Sequence, residues 1–106
     1  MRILLDECAD QRLRLLLGEH DCQTAAYAKL SGLKNGILLA AAESAGFEVM
    51  ITTDREIPFQ QNLIAGRISV LILCAPANRL ADLRGLVPAA LQALETITPG
   101  QDVRID

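Results

Sequence analysis

Arg2-Ile3-Leu4-Leu5-Asp6-Glu7 and Phe47-Glu48-Val49-Met50-Ile51-Thr52-Thr53-Asp54 are two apolar runs that each stop on carboxylates. Ile3 to Leu5 does not alternate with polar residues, which is the pattern of a strand covered on both faces. A covered strand ending in acid is how an α/β sheet places charge at the mouth of a crevice. Two such strands, about fifty residues apart, predict carboxylates meeting at one edge of a parallel sheet.

The intervening segments supply the other layers. Residues 9–17 read as a helix stopped by Gly18 at its C′ position. Asp21 to Thr24 is a short second strand, and residues 25–34 favour one or two helical turns ended by Ser31-Gly32. A helix is expected from Gly36 to Ala45, with Asn35 as N-cap and Gly46 just past its end. Glu48 to Thr53 forms the third strand. A capping box on Thr53 and Glu56 would set Pro58 against the carbonyl of Asp54, so the next short helix is expected to start at Pro58. Ile68 to Leu73 is a fourth strand. Asn78 then caps a long stretch with Leu80, Leu83, Val87, Leu91 and Leu94 on one face, and Pro88 predicts a break near Val87. Pro99-Gly100 turns the chain, and Val103 to Ile105 adds a last strand. This order predicts a single α/β domain over residues 1–106. Its centre is a parallel sheet of four to five strands with helices on both faces.

Composition narrows the class. Of 106 residues 51% are hydrophobic, yet there is no Trp, one Tyr and two Phe, so the core must come from Leu, Ile, Val and Ala. No apolar run nears the ~20 residues of a membrane span, and Met1 leads straight into a strand without a signal-type start. A cytoplasmic protein without a membrane partner is expected. Three cysteines, Cys8, Cys22 and Cys74, lack paired spacing, and His20 is the one histidine, which argues against structural zinc. They are expected to be small buried hydrophobes. At Cys8 the adjacent Asp6 and Glu7 disfavour a thiolate.

The formal charge of −3 opposes nucleic-acid binding only if it is evenly spread. The residues after each strand show that it is not. Strand one delivers Asp6 and Glu7. Strand two leads to Tyr27, Lys29 and Lys34. Strand three delivers Asp54 and Arg55, followed by Gln60, Gln61 and Asn62, and strand four leads to Asn78 and Arg79. Two carboxylates ~5 Å apart repel by about 3 kcal/mol at an effective dielectric of ~20. That is a large share of the ~5–15 kcal/mol that holds a domain together. A converging pair therefore calls for a cation, a basic partner or a shared proton. Mg²⁺ or Mn²⁺ suits two or three carboxylates plus a substrate phosphate.

The ordered set Arg2-Ile-Leu-Leu-Asp6-Glu7, Gly32-Leu-Lys-Asn35-Gly36, Thr53-Asp54-Arg55, Pro58-x-Gln60-Gln61-Asn62-Leu63 and Asn78-Arg79-Leu80 resembles the small PIN-like family of bacterial toxin-type proteins. The resemblance continues through Leu-Val-Pro88 to Pro99-Gly100 and so covers essentially the whole chain. It implies a PIN-like fold and a Mg²⁺- or Mn²⁺-dependent endoribonuclease. It also implies the toxin role in a type II toxin–antitoxin pair, with RNA and a cognate antitoxin as partners and a homodimer as a further expectation. Asp6 and Asp54 match the family's metal-binding acids, with Glu7 as an auxiliary ligand; all three are the catalytic candidates. Arg55, Lys34, Gln60, Gln61, Asn62 and Arg79 are candidate substrate contacts. One position departs from the pattern: an acid is expected two residues after Asn35, and Ile37 stands there. Glu43 lies six positions on, about 120° around a helix, and is a poor replacement.

The alternative is a catalytically impaired PIN-like protein that binds antitoxin or RNA without cutting. A receiver domain would also place an acid pair after strand one and an Asp after strand three. It further needs a hydroxyl residue after strand four and a Lys after strand five. Here strand four leads to Cys74-Ala75-Pro76, and no Lys follows Lys34.

Overall fold

The computed structural model describes residues 1–18, 20–33, 35–55, 67–76 and 79–106. Five strands form one sheet: β1 Arg2–Leu5, β2 Asp21–Thr24, β3 Val49–Thr52, β4 Ser69–Leu73 and β5 Asp102–Ile105. All neighbours are parallel and the order is β2-β1-β3-β4-β5. Every strand therefore ends on the same edge, as the connection pattern requires. The order reverses between β1 and β3, because β2 is laid down on one side of β1 and β3 on the other. In open parallel sheets that reversal leaves a crevice beyond the strand ends.

Strand position explains strand composition. The central strands β1, β3 and β4 are apolar and buried, while the edge strands carry Asp21, Gln23, Asp102 and Arg104 toward solvent. Side-chain alternation splits the core into two layers. Ile3, Leu5, Val49, Ile51, Leu71 and Leu73 face one side, with Leu13, Leu83, Val87 and Leu94 packed on them. Leu4, Met50, Val70 and Ile72 face the other, covered by Leu38, Leu39 and Ala42 of α1 (Asn35–Ser44). Truncating a residue such as Ile51 or Leu71 to Ala would cost about 2–5 kcal/mol.

Several expected boundaries shift. The segment expected as a helix over 9–17 is a tighter 3₁₀ turn at Gln11–Leu16. Asp10 caps it by accepting the Arg12 N–H, and Leu13 and Leu17 bond back to Asp10 and Arg14, three residues earlier. So short a run, stopped by Gly18 at φ +64, gives α-helical cooperativity little room. Helix α1 starts at Asn35 itself, one residue earlier than expected. The long final helix is divided into α2 Leu80–Arg84 and α3 Val87–Thr96. Pro88 sits in the first turn of α3, where its missing N–H costs nothing, so the break falls where the proline predicts. The helix expected at Pro58 and the Asn78 cap lie outside the described residues. Among those described, no helix is long and apolar enough to cross a membrane.

Candidate functional site

Register brings the first acid to its partner. Leu5 pairs with Ile51 and the Asp6 N–H donates to Ile51 O at 2.9 Å, so Asp6 leaves β1 beside Thr52, the last residue of β3. Thr52 is fully buried. Its hydroxyl donates to Asp6 Oδ2 at 2.8 Å and accepts the Asp54 N–H at 3.1 Å. Asp6 Oδ1 accepts the Glu7 N–H at 2.9 Å. The expected pair Asp6 and Asp54 thus share one hydroxyl at the β1/β3 reversal, and both are half-buried.

Cys8 completes this cluster and is exposed, which corrects the expectation of a buried thiol there. Its Sγ accepts from Thr53 Oγ1 at 3.1 Å and from the Thr53 N–H at 3.5 Å. It also lies 3.3 Å from Thr52 Oγ1 and 3.4 Å from Asp6 Oδ2. Since the Thr52 hydrogen is already given to Asp6, the thiol is left to donate toward oxygen. Cys22 and Cys74 are half-buried, and burial pushes the Cys22 thiol up to about 11.

Glu7 goes elsewhere. Its carboxylate accepts the Gly32 N–H at 2.8 Å and the Ser31 hydroxyl at 3.0 Å, and those two bonds lower its pKa, the backbone one most. It thereby ties the β1 end to the loop between β2 and α1. Ile37, where an acid was expected, is 65% exposed on α1. Glu43 is at the opposite end of the sheet: its Oε1 accepts the N–H groups of Arg67 and Ile68, the latter at 2.9 Å, just before β4. It cannot stand in for the missing acid.

Of the cationic candidates, Arg55 donates to Ala75 O at 3.2 Å, joining the loops after β3 and β4. Arg79 pairs with Asp82 at 3.2 Å at the start of α2. Lys34, Gln60, Gln61 and Asn62 lie outside the described residues. Sequence reading missed Thr52, Cys8, Ser31 and Gly32 as parts of the site. The available signal was the Thr52-Thr53 pair, hydroxyls ending an otherwise apolar strand.

A divalent Mg²⁺ or Mn²⁺ takes one or two carboxylates, keeps waters and adds substrate phosphate oxygens. Asp6 fits that demand, since each of its oxygens retains acceptor capacity beyond the bonds above, and Asp54 leaves the neighbouring strand end on the same hydroxyl. Glu7 would have to leave Ser31 and Gly32 to join. Among the described residues no group of three or more His, Cys, Asp or Glu is placed to hold a metal. Compared with known proteins, the chain matches no family model, no curated protein and no solved structure.

Proposed function

We propose that the chain is a PIN-like protein that acts on RNA, a metal-dependent endoribonuclease serving as the toxin of a type II toxin–antitoxin pair. The observation that carries this reading is the Thr52 hydroxyl that bonds both the Asp6 carboxylate and the Asp54 backbone N–H at the sheet's reversal point. Asp6 and Asp54 would hold Mg²⁺ or Mn²⁺, which supplies a Lewis acid for the phosphodiester and its attacking water. Thr52 fixes the Asp6 carboxylate and the Asp54 backbone, so both acids would approach the metal from strand ends held by one hydroxyl. Hydrolysis forms a bond from water oxygen to phosphorus and breaks the one to the bridging oxygen, which leaves with its electron pair and takes a proton.

A second reading has its own observation. Glu7 is committed to Ser31 and Gly32 and Ile37 replaces an acid, which favours a protein that binds RNA or an antitoxin without cutting. Cleavage of single-stranded RNA across a Mn²⁺ titration separates the two. Metal-dependent cleavage, lost in the Asp6→Asn/Asp54→Asn double variant, supports the enzyme. Binding without cleavage at any metal concentration supports the second reading. An Ile37→Glu variant that gains activity would locate the deficit at that position.

A further inference from the structure

The chain's one tyrosine stands outside the core. Tyr27 is 76% exposed, in a protein with no Trp. Its backbone is nonetheless fixed. The Tyr27 N–H donates to Thr24 Oγ1 at 3.1 Å, and the turn closes with Lys29 N–H to Ala26 O at 3.1 Å and Leu30 N–H to Ala25 O at 2.8 Å. Ala25 is fully buried and anchors the turn in the core. A rigid aromatic at the surface loses little entropy when something stacks on it.

Beside this ring lies an open groove of about 470 Å³ whose lining includes Gln11, Arg14, Asp21, Gln23 and Tyr27. Asp21 is paired with Arg2 at 3.7 Å, and among the described residues Arg14 forms no ion pair. A second hollow of about 200 Å³ contains Asp6 and Glu7 and shares Gln11 and Thr24 with the first. The two hollows therefore adjoin at Gln11 and Thr24.

We propose that this groove is a binding site for a single-stranded nucleic acid. A base stacks on Tyr27, Arg14 takes the adjoining phosphate, the Gln11 and Gln23 amides meet base edges or sugar hydroxyls, and the strand runs on to Asp6. The assignment rests on the RNA reading above and adds the path of the strand and the residues that hold it. Stacking needs an unpaired base, and the ring accepts any base. A peptide adding to the β2 edge is a poorer fit, because that strand is four residues long and its outward Thr24 O already accepts the Ala28 N–H.

The lone tyrosine makes the test site-specific. Fluorescein-labelled short oligouridylate is titrated with the full chain in EDTA, so that cleavage cannot interfere. Binding is read by anisotropy and Tyr27 by its own emission. The expected result is saturable quenching with the same midpoint as the anisotropy, and no quenching by duplex RNA. Tyr27→Ala should weaken binding by about 5- to 100-fold and Tyr27→Phe should restore most of it. Arg14→Gln should lower the slope of log affinity against log salt by about 0.7. Anisotropy-detected binding with unchanged tyrosine emission and an unaffected Tyr27→Ala variant would overturn the groove and leave the RNA reading standing. No RNA binding at all would overturn both. If Tyr27→Ala instead changes the sedimentation of the protein alone, the groove belongs to a second copy of the chain and the proposal falls.

Discussion

The Thr52 hydroxyl hydrogen bonds to both candidate acids, donating to the Asp6 side chain at 2.8 Å and accepting from the Asp54 backbone at 3.1 Å. Thr52→Val keeps the shape and removes both bonds, leaving a carboxylate and an N–H short of a partner. A hydrogen bond to a charged group contributes about 1.5–3 kcal/mol, so urea unfolding should show a loss in that range. Thr52→Ser restores the hydroxyl and should recover most of it. If the site hydrolyses RNA, cleavage should follow the hydroxyl: lost in Val, retained in Ser. Equal activity in both would remove Thr52 from the positioning of Asp6.

Glu7 gives a pH-dependent contact. Its folded pKa is lowered by the Gly32 N–H and Ser31 hydroxyl, so the contact is fully present above the ordinary carboxylate pKa. It is lost as pH falls through the folded value. Exchange of the Gly32 amide should therefore speed up, beyond its intrinsic pH trend, only below the ordinary Glu range. Glu7→Gln should abolish that dependence. An amide whose protection ignores both pH and the substitution would show that the crossing bond does not hold the loop.

The thiols should separate cleanly. Cys8 is exposed, whereas burial raises Cys22 to about 11, and the thiolate is the reactive form. Alkylation near neutral pH followed by peptide mass mapping should mark Cys8 first and leave Cys22 unmodified until the protein is unfolded. Early labelling of Cys22 would mean that β2 opens from the sheet edge.

Two different kinds of information account for what could be read from the chain. The covered strands Ile3–Leu5 and Val49–Ile51, and the acids that end them, are local patterns, and the parallel sheet with its acid-bearing edge follows from them. The division at Pro88 and the stops at Gly18 and Gly46 are equally local, being set by one residue's backbone. The destination of Glu7 is not. Asp6 and Glu7 are neighbours of like charge, yet one turns to Thr52, 46 residues away, and the other to Ser31 and Gly32. That division depends on register and on the path of the β2–α1 loop. No spacing within Leu5-Asp6-Glu7-Cys8 encodes it.

The same loop contains a backbone feature that can be tested by exchange. Leu30 N–H to Ala25 O and Lys29 N–H to Ala26 O form the same stop as Phe47 N–H to Ala42 O and Gly46 N–H to Glu43 O at the end of α1. The pivot of the second is Gly46 at φ +91; the pivot of the first is Lys29 at φ +62. A left-handed conformation costs a side-chain-bearing residue about 1–2 kcal/mol. Glycine avoids that cost but loses roughly 0.5–1 kcal/mol in added unfolded-state freedom. The first effect is larger, so Lys29→Gly should stabilise the protein by about 0.5–1 kcal/mol, seen as a higher urea midpoint at unchanged slope. Gly46→Ala should move the other way by about 1 kcal/mol or more. Its new Cβ would also lie 2.7 Å from Arg2 Nη1, displacing a guanidinium that bonds Ala45 O and covers the Phe47 ring at 4.5 Å. A Lys29→Gly protein less stable than the parent would mean that the lysine side chain makes a contact worth more than the strain it imposes.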